Sequence, residues 1–197
     1  MPPRSSRRVP TVILPGWQGS GPGHWQVLLA EALRADGGQV HEPPLPDLDT
    51  PSLPGWLAAL RTTLASLPEG GFDVVSHSLG AVLWLYHAVD SSGTPAPARV
   101  ALVAPPSPDP SIAPAEFRSF LPPPLEVDAV RQTAGGTVLV AADDDPYCPE
   151  GAANAYGRPL KLPVTVIPGG GHLNVDSGHG PWPAMLSWCG RDNLAFY

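Results

Sequence analysis

One serine stands in a sequence pattern that is typical of a catalytic nucleophile. Residues 75–80 read V-S-H-S-L-G, so small residues stand two positions before and two positions after Ser78. Such spacing allows a tight turn from a strand into a helix, and the turn holds the hydroxyl of the central serine clear of the backbone. It also places the N–H group of Leu79 at a helix N-terminus, where negative charge is stabilised. The pattern predicts a nucleophilic Ser78, although a serine that only caps a helix would fit it too.

An acidic run supplies a candidate partner for this serine. Residues 143–145 are three aspartates that directly follow a predicted strand, Thr137–Ala142. Consecutive loop side chains diverge, and no histidine or further carboxylate stands at ligand spacing from them, so the run is a weak candidate for a metal site. A single aspartate at a strand end is suited to orienting a histidine, and we assign that role to Asp145. We therefore expect neither a metal nor a cofactor.

A candidate histidine follows the last predicted strand. Three glycines connect the predicted strand 163–167 to His172, and they allow the loop to fold close to the sheet edge. His179 is an alternative, but it lies seven residues further from the strand end. Ser78, Asp145 and His172 come in the order serine, acid, histidine, each after a predicted strand. This is the order found in α/β-hydrolases.

The loop after the first strand is a candidate for the second oxyanion donor. Residues 14–20 are rich in glycine and lead into a predicted helix, although a simple strand-to-helix turn would use the same glycines. By position, the backbone N–H of Trp17 is the preferred donor beside that of Leu79, with Gln18 as the alternative. Gln18 and His24 are also candidates to line a substrate pocket.

A proline-rich segment occupies the place where larger α/β-hydrolases insert a cap domain. Residues 105–124 follow the predicted strand Arg99–Val103 and contain eight prolines, so the segment is too short for a helical lid and its mobility is reduced. We expect a small, fairly rigid pocket for the acyl group. Four apolar residues of the segment are candidates either to line the pocket or to pack on the sheet edge: Ile112, Phe117, Phe120 and Leu121.

Short apolar runs alternate with longer amphipathic ones along the whole chain. The predicted strands are residues 9–14, 39–42, 72–75, Arg99–Val103, Thr137–Ala142 and 163–167, and the predicted helices are residues 23–35, 53–67, Leu79–Val89 and 182–188, with a short helix within 146–156. Alternation of this kind predicts a three-layer α/β sandwich with a mostly parallel sheet of about six strands. In such a sheet, chemistry takes place at the carboxyl ends of the strands. We expect one domain over residues 1–197, with residues 1–8 as a loose tail.

Composition and charge exclude several classes of protein. The chain has 11 Lys and Arg residues against 18 Asp and Glu residues, which gives a net charge of −7. A nucleic-acid-binding protein needs a basic face, so we expect no nucleic-acid partner. No apolar run reaches the roughly 18–20 residues of a membrane helix, and the run after the basic N-terminus is too short for a signal peptide. We therefore expect a cytoplasmic protein without a membrane partner.

The motifs together resemble the retinoblastoma-binding-protein-9-like or YdeN-like serine hydrolases, a family of small α/β-hydrolases. The resemblance extends from about residue 11 to residue 188. Its matching pieces are P-G-W at 15–17, H-W at 24–25, S-H-S-L-G at 76–80, D-P-Y at 145–147 and G-G-G-H-L-N-V-D-S-G-H-G-P-W-P at 169–183. The resemblance implies a compact hydrolase without a large cap domain, with Ser78, Asp145 and His172 as its catalytic triad. It does not supply a physiological substrate.

The expected activity is hydrolysis of small carboxylic esters through an acyl-enzyme. In this interpretation, His172 activates Ser78 and the backbone N–H groups of Leu79 and Trp17 hold the oxyanion. The expected partner is a small acyl substrate, and other acyl substrates and a protein partner remain open. The alternative is a non-catalytic protein-binding module that retains a hydrolase fold. An intact triad argues against that alternative, since a binding module needs none of its three residues.

Overall fold

A six-stranded sheet forms the centre of the molecule. The computed structural model describes residues 9–190, so the predicted tail of residues 1–8 lies outside the described residues. Neighbouring strands pair in parallel in the order β2-β1-β3-β4-β5-β6. The strands are β1 Thr11–Leu14, β2 Val40–His41, β3 Asp73–His77, β4 Arg99–Val103, β5 Thr137–Ala142 and β6 Val164–Ile167. The predicted parallel sheet of about six strands is confirmed.

Helices cover both faces of the sheet. They are α1 Trp25–Ala35, α2 Leu53–Leu64, α3 Leu79–Val89, α4 Val127–Thr133, α5 Arg158–Leu160 and α6 Pro183–Cys189. Alternate residues of the central strands point to opposite faces and build two apolar cores. Residues of α2 and α3 contribute to one core, and residues of α1 and α6 contribute to the other. This is the predicted three-layer sandwich, and it carries no large cap domain.

The boundaries of several elements differ from the sequence prediction. The first strand begins at Thr11 rather than at residue 9, and Pro10, directly before it, has no N–H to give to the sheet. The short helix predicted within 146–156 is instead a π-type turn, Ala153–Gly157, that continues into α5. Prolines at positions 146 and 149 disfavour an earlier helix start. Helix α4 was not predicted, because Val130 is its one buried large apolar residue and the periodicity is weak.

Two further features of the described residues concern membrane helices and cysteines. Within residues 9–190, no helix has both the length and the apolar composition needed to span a bilayer. Cys148 and Cys189 are both buried, and they form no disulfide within residues 9–190. Burial raises the pKa of the Cys148 thiol to about 12, so this side chain packs as a small apolar group rather than as a thiolate.

Candidate active site

The turn after β3 holds Ser78 in a strained conformation. Its φ of 53° and ψ of −121° are unusual for a residue other than glycine. The turn can form because Gly80 has no side chain, since a Cβ there would lie 2.6 Å from the carbonyl oxygens of Leu14 and Pro15. The backbone N–H of Ser78 donates to the carbonyl of Val103 at 2.8 Å and anchors the turn to β4. The serine therefore stands at the carboxyl end of the sheet, directly before α3.

Ser76 occupies the position where glycine is common in this type of turn. It lies within the regular parallel pairing of β3, opposite Leu14 on one side and Leu102 on the other. Its buried hydroxyl donates to the carbonyl of Ala101 at 2.9 Å. Extended backbone suits serine, and the hydrogen bond satisfies its hydroxyl, so the turn does not require glycine at this position.

The structure brings Ser78, His172 and Asp145 into one hydrogen-bonded chain. His172 Nε2 lies 2.9 Å from Ser78 Oγ, and His172 Nδ1 lies 2.8 Å and 3.0 Å from the two carboxylate oxygens of Asp145. Because the carboxylate accepts, Nδ1 carries the proton and Nε2 presents its lone pair to the serine hydroxyl. Asp145 also accepts the backbone N–H of Tyr147 at 2.9 Å, and both Asp145 and His172 are buried.

The other two aspartates of the acidic run hold the loop that carries His172. This segment, residues 168–173, is called the His172 loop below. The N–H of Gly169 donates to Asp143 at 2.8 Å, and the N–H of Gly171 donates to Asp144 at 2.7 Å. The three carboxylates thus point to three different partners, as the divergence of loop side chains predicts. In residues 9–190 there is no cluster of three or more histidine, cysteine or acidic side chains that could hold a metal ion.

Two aromatic side chains form hydrogen bonds with backbone carbonyl groups of the His172 loop. His77 Nε2 lies 2.9 Å from the carbonyl oxygen of His172, and the indole N–H of Trp25 donates to the carbonyl of Leu173 at 2.8 Å. A carbonyl oxygen only accepts, so His77 Nε2 carries a proton. Leu173 has a φ of 50°, which is strained for leucine, and its side chain is fully buried. The loop is therefore fixed at four points by residues of three other segments.

Three histidine rings lie in a row from α1 to the site. The ring centroids of His24 and His77 are 5.0 Å apart, and those of His77 and His172 are 4.9 Å apart. Burial, and then the positive charge that His172 and His179 carry when they are protonated, lowers the pKa of His24 to about 4. Burial also places the pKa of His77 well below its usual value. His24 and His77 are therefore neutral near pH 7, and His24 Nδ1 accepts the N–H of Gln26 at the start of α1.

The alternative histidine, His179, lies outside the hydrogen-bonded chain. Its ring packs against Trp182 with the centroids 4.6 Å apart, and its backbone N–H donates to the carbonyl of Asn174. Burial lowers the pKa of His179. The structure thus brings His172, rather than His179, to the serine.

Two backbone N–H groups near Ser78 have no hydrogen-bond partner within residues 9–190. The N–H of Gln18, the alternative oxyanion donor, is already bonded to the carbonyl of Leu48 at 3.0 Å. The N–H groups of Trp17 and Leu79 donate to no other group of residues 9–190. The loop before Trp17 approaches Ser78 closely, since a Cβ on Gly16 would lie 2.8 Å from the serine Cβ. This arrangement leaves Trp17 and Leu79 as the preferred oxyanion donors.

A cavity of about 310 Å³ opens over Ser78 and His172. Among the candidate pocket residues, Gln18, His24 and Phe117 line it. Sequence reasoning missed Tyr147, which also lines it and whose ring centroid lies 4.4 Å from that of His172. Its position two residues after the acid was the available signal, because Asp145 accepts its backbone N–H.

Phe120, a candidate either to line the pocket or to pack on the sheet edge, packs in the core and does not line the cavity. Phe120 is fully buried, and its ring packs edge-on against Trp56 with the centroids 5.4 Å apart. Phe117 and Phe120 both belong to a 3₁₀ segment, Ala115–Phe120. Phe117 instead contacts the ring of Trp17 at 5.4 Å, beside the site. Leu121 is also buried in the core, so only part of the proline-rich segment faces the cavity.

Comparison with protein families places the chain in one of them. Residues 11–189 match the model of a family described as serine hydrolase. The chain belongs to the serine hydrolase family. Among curated proteins, none matches the sequence.

Solved structures of other proteins resemble this serine hydrolase along most of its length. The ydeN gene product from B. subtilis is 21% identical, with a TM-score of 0.80 over 93% of this chain and 97% of that one. A YdeN-like hydrolase from Pectobacterium atrosepticum is 21% identical, with a TM-score of 0.73 over 95% and 91% of the two chains. Est1E from Butyrivibrio proteoclasticus, solved with ferulic acid bound, is 15% identical, with a TM-score of 0.57 over 85% and 82%. The family match and the first two structures confirm the resemblance to YdeN-like serine hydrolases.

Proposed function

We propose that this serine hydrolase cleaves small carboxylic esters through Ser78, His172 and Asp145. The observation that carries the proposal is the unbroken chain of hydrogen bonds from the carboxylate of Asp145 through His172 to Ser78 Oγ. A serine that only capped a helix would not need this chain, and Ser78 makes no capping bond to α3. The same three residue types in this geometry activate serine in unrelated hydrolases.

In the first half-reaction, Ser78 becomes acylated. Ser78 Oγ attacks the ester carbonyl carbon while His172 Nε2 takes the hydroxyl proton. The carbonyl oxygen becomes an oxyanion, which the backbone N–H groups of Leu79 and Trp17 stabilise. When the intermediate collapses, the bond to the alcohol oxygen breaks and His172 returns its proton to that oxygen. Asp145 holds the imidazole in the required tautomer and stabilises its positive charge.

In the second half-reaction, water releases the acyl group. His172 Nε2 takes a proton from the water as its oxygen attacks the acyl carbon, and the bond from that carbon to Ser78 Oγ then breaks. The proton returns to the serine and a carboxylic acid is released. His24 and His77 are neutral near pH 7, so they place no positive charge beside His172 when it becomes an imidazolium.

Turnover of an activated ester tests the proposal. The wild-type protein should hydrolyse p-nitrophenyl acetate, and Ser78→Ala and His172→Gln should each lower kcat by roughly 10³–10⁶-fold. His179→Gln is the matched control, because His179 lies outside the hydrogen-bonded chain, and it should keep wild-type activity. A folded wild-type protein that turns over no ester would favour the alternative, a protein-binding module. Activity retained in Ser78→Ala would refute the assigned nucleophile.

The size of the cavity and the net charge of the chain bear on the class of substrate. The cavity volume of about 310 Å³ is at the lower end of the range for small-molecule sites. The net charge of −7 gives no general attraction for anionic polymers such as nucleic acids. We therefore propose a small uncharged ester as the substrate of this protein, whose cytoplasmic location stays a prediction.

A further inference from the structure

A second cavity lies next to the candidate active site. It has a volume of about 370 Å³ and shares two of its walls, Phe117 and Tyr147, with the cavity over Ser78. The proline-rich segment and the loop after β5 form the rest of its lining. We call this cavity the proline groove, because Pro106, Pro114, Pro146 and Pro149 line it.

The side chains that line the proline groove are mostly apolar. None of the residues that line it carries a charge. The hydroxyl of Ser107 donates to the carboxylate of Glu150, so its hydrogen-bond donor is already satisfied. Ile112 and Tyr147 also line the groove, with 54% and 43% of their surfaces exposed. They are two of the five large apolar residues that the described part of the chain leaves exposed. Exposed apolar surface collected beside a reactive serine indicates a binding surface.

Hydrogen bonds fix the walls of the proline groove. The N–H of Ser107 donates to the carbonyl of Tyr147 at 2.7 Å and ties the two loops together. The hydroxyl of Tyr156, a fully buried residue, donates to the carbonyl of Pro106 at 2.6 Å. Proline rings restrict the backbone further. The groove is therefore preformed, and a ligand would lose little free energy in ordering it.

The two cavities differ in chemistry. Gln18, His24 and Asn174 bring polar groups to the cavity over Ser78, where the ester group would react. The proline groove instead offers pyrrolidine rings, one isoleucine and two aromatic faces. An uncharged ring suits this lining, because it can bury its apolar faces against the flat side chains without leaving a charged group unpaired.

We propose that the proline groove binds an apolar ring carried by the substrate, so that this enzyme prefers ring-bearing small esters. This inference rests on the proposed function, since the ring is held while its ester group lies at Ser78. The ring belongs to either the acyl or the alcohol part of the ester. Both parts extend from the same carbonyl carbon, and substrates of both kinds distinguish them.

The test compares a minimal ester with two ring-bearing esters in a pH-stat, which measures acid release without a chromophore. Ethyl acetate is the minimal ester, ethyl 3-phenylpropanoate carries the ring on the acyl side, and 2-phenylethyl acetate carries it on the alcohol side. In the wild-type enzyme, kcat/KM for at least one ring-bearing ester should exceed that for ethyl acetate by about 10–100-fold.

A charge placed in the proline groove should remove this preference. Ile112→Asp changes an exposed side chain, so the fold should persist, and it should lower kcat/KM for the preferred ring-bearing ester at least about 10-fold. Hydrolysis of ethyl acetate should change by less than about 3-fold. Val89→Asp is the matched control, because Val89 is 45% exposed but lines neither cavity, and it should preserve the preference.

The outcomes separate this inference from the proposed function. If the wild-type enzyme hydrolyses the esters but shows no preference for a ring, the groove inference fails alone. It also fails if Ile112→Asp keeps the preference or lowers kcat/KM for all three esters equally. If the wild-type protein hydrolyses no ester, the proposed function fails, and the groove inference fails with it.

Discussion

Replacing His77 should slow catalysis although its side chain makes no hydrogen bond to Ser78. His77 Nε2 donates to the carbonyl of His172, so the replacement His77→Leu removes one of the four points that fix the His172 loop. A buried carbonyl left without its partner costs about 1–3 kcal/mol. If the loop moves to find another donor, His172 Nε2 leaves its 2.9 Å contact with Ser78 Oγ.

The expected kinetic effect follows from that displacement. A misplacement of about 1 Å at a reacting group costs about 100-fold, so His77→Leu should lower kcat by about 10–100-fold. KM should change little, because His77, although it lines the cavity over Ser78, is only 4% exposed and offers little surface to substrate. His77→Gln should recover most of the loss, because the glutamine amide can donate to the same carbonyl. Steady-state kinetics on p-nitrophenyl acetate measure kcat and KM for both variants.

A second buried histidine separates positioning from general destabilisation. His87 in α3 is 1% exposed and contacts Trp84 rather than the active site. His87→Leu should change the free energy of unfolding and leave kcat at the wild-type value. The reasoning is refuted if His77→Leu keeps wild-type kcat, or if the two leucine variants lose activity to the same extent.

Three further predictions concern the acid, the stability and the acyl group. Asp145→Asn should lower kcat by about 10⁴-fold. Asp144→Asn should keep kcat within about 3-fold of the wild-type value, because an amide oxygen still accepts the N–H of Gly171. An inactive Asp144→Asn variant would show that Asp144, rather than Asp145, is the acid of the triad. Burial lowers the pKa of His24 and His87 to about 4, so the unfolded chain binds protons that the folded one does not. The free energy of unfolding should therefore fall by roughly 3 kcal/mol per histidine as the pH falls from about 6.5 to about 4. Urea titrations at several pH values measure this free energy, and a value that does not change with pH would contradict the burial of the two histidines. In a series of linear p-nitrophenyl esters, kcat/KM should peak at about two to six acyl carbons, because these chains fill the cavity over Ser78 and a longer flexible chain loses conformational entropy when it enters the proline groove. A maximum at long chains with activation at a lipid interface would indicate a mobile lid.

Local patterns predicted the elements that carry the serine and the acid. Helix α3 and strands β4 and β5 have the predicted boundaries, because each is an apolar run with a clear start and end. The order of Ser78, Asp145 and His172 after three strands was also readable, since parallel strands present their carboxyl ends at one edge of the sheet.

Contacts between distant segments could not be read from the sequence. Trp25 reaches the carbonyl of Leu173, which lies 148 residues away along the chain, and nothing local to either residue signals that bond. The sequence of an irregular segment also does not determine which way a side chain points, so it did not distinguish the positions of Phe117 and Phe120. Both are apolar and three residues apart, yet Phe117 faces the site and Phe120 fills the core.

Covalent labelling by a fluorophosphonate tests the central claim most directly, because such a probe reacts with an activated serine. After incubation, intact mass should show one adduct per chain, and peptide mapping should place it on Ser78. The Ser78→Ala variant should take up no probe, and Asp145→Asn should react far more slowly than the wild-type protein. A folded wild-type protein that remains unlabelled, or an adduct on any other serine, would contradict the proposal that Ser78 is the nucleophile.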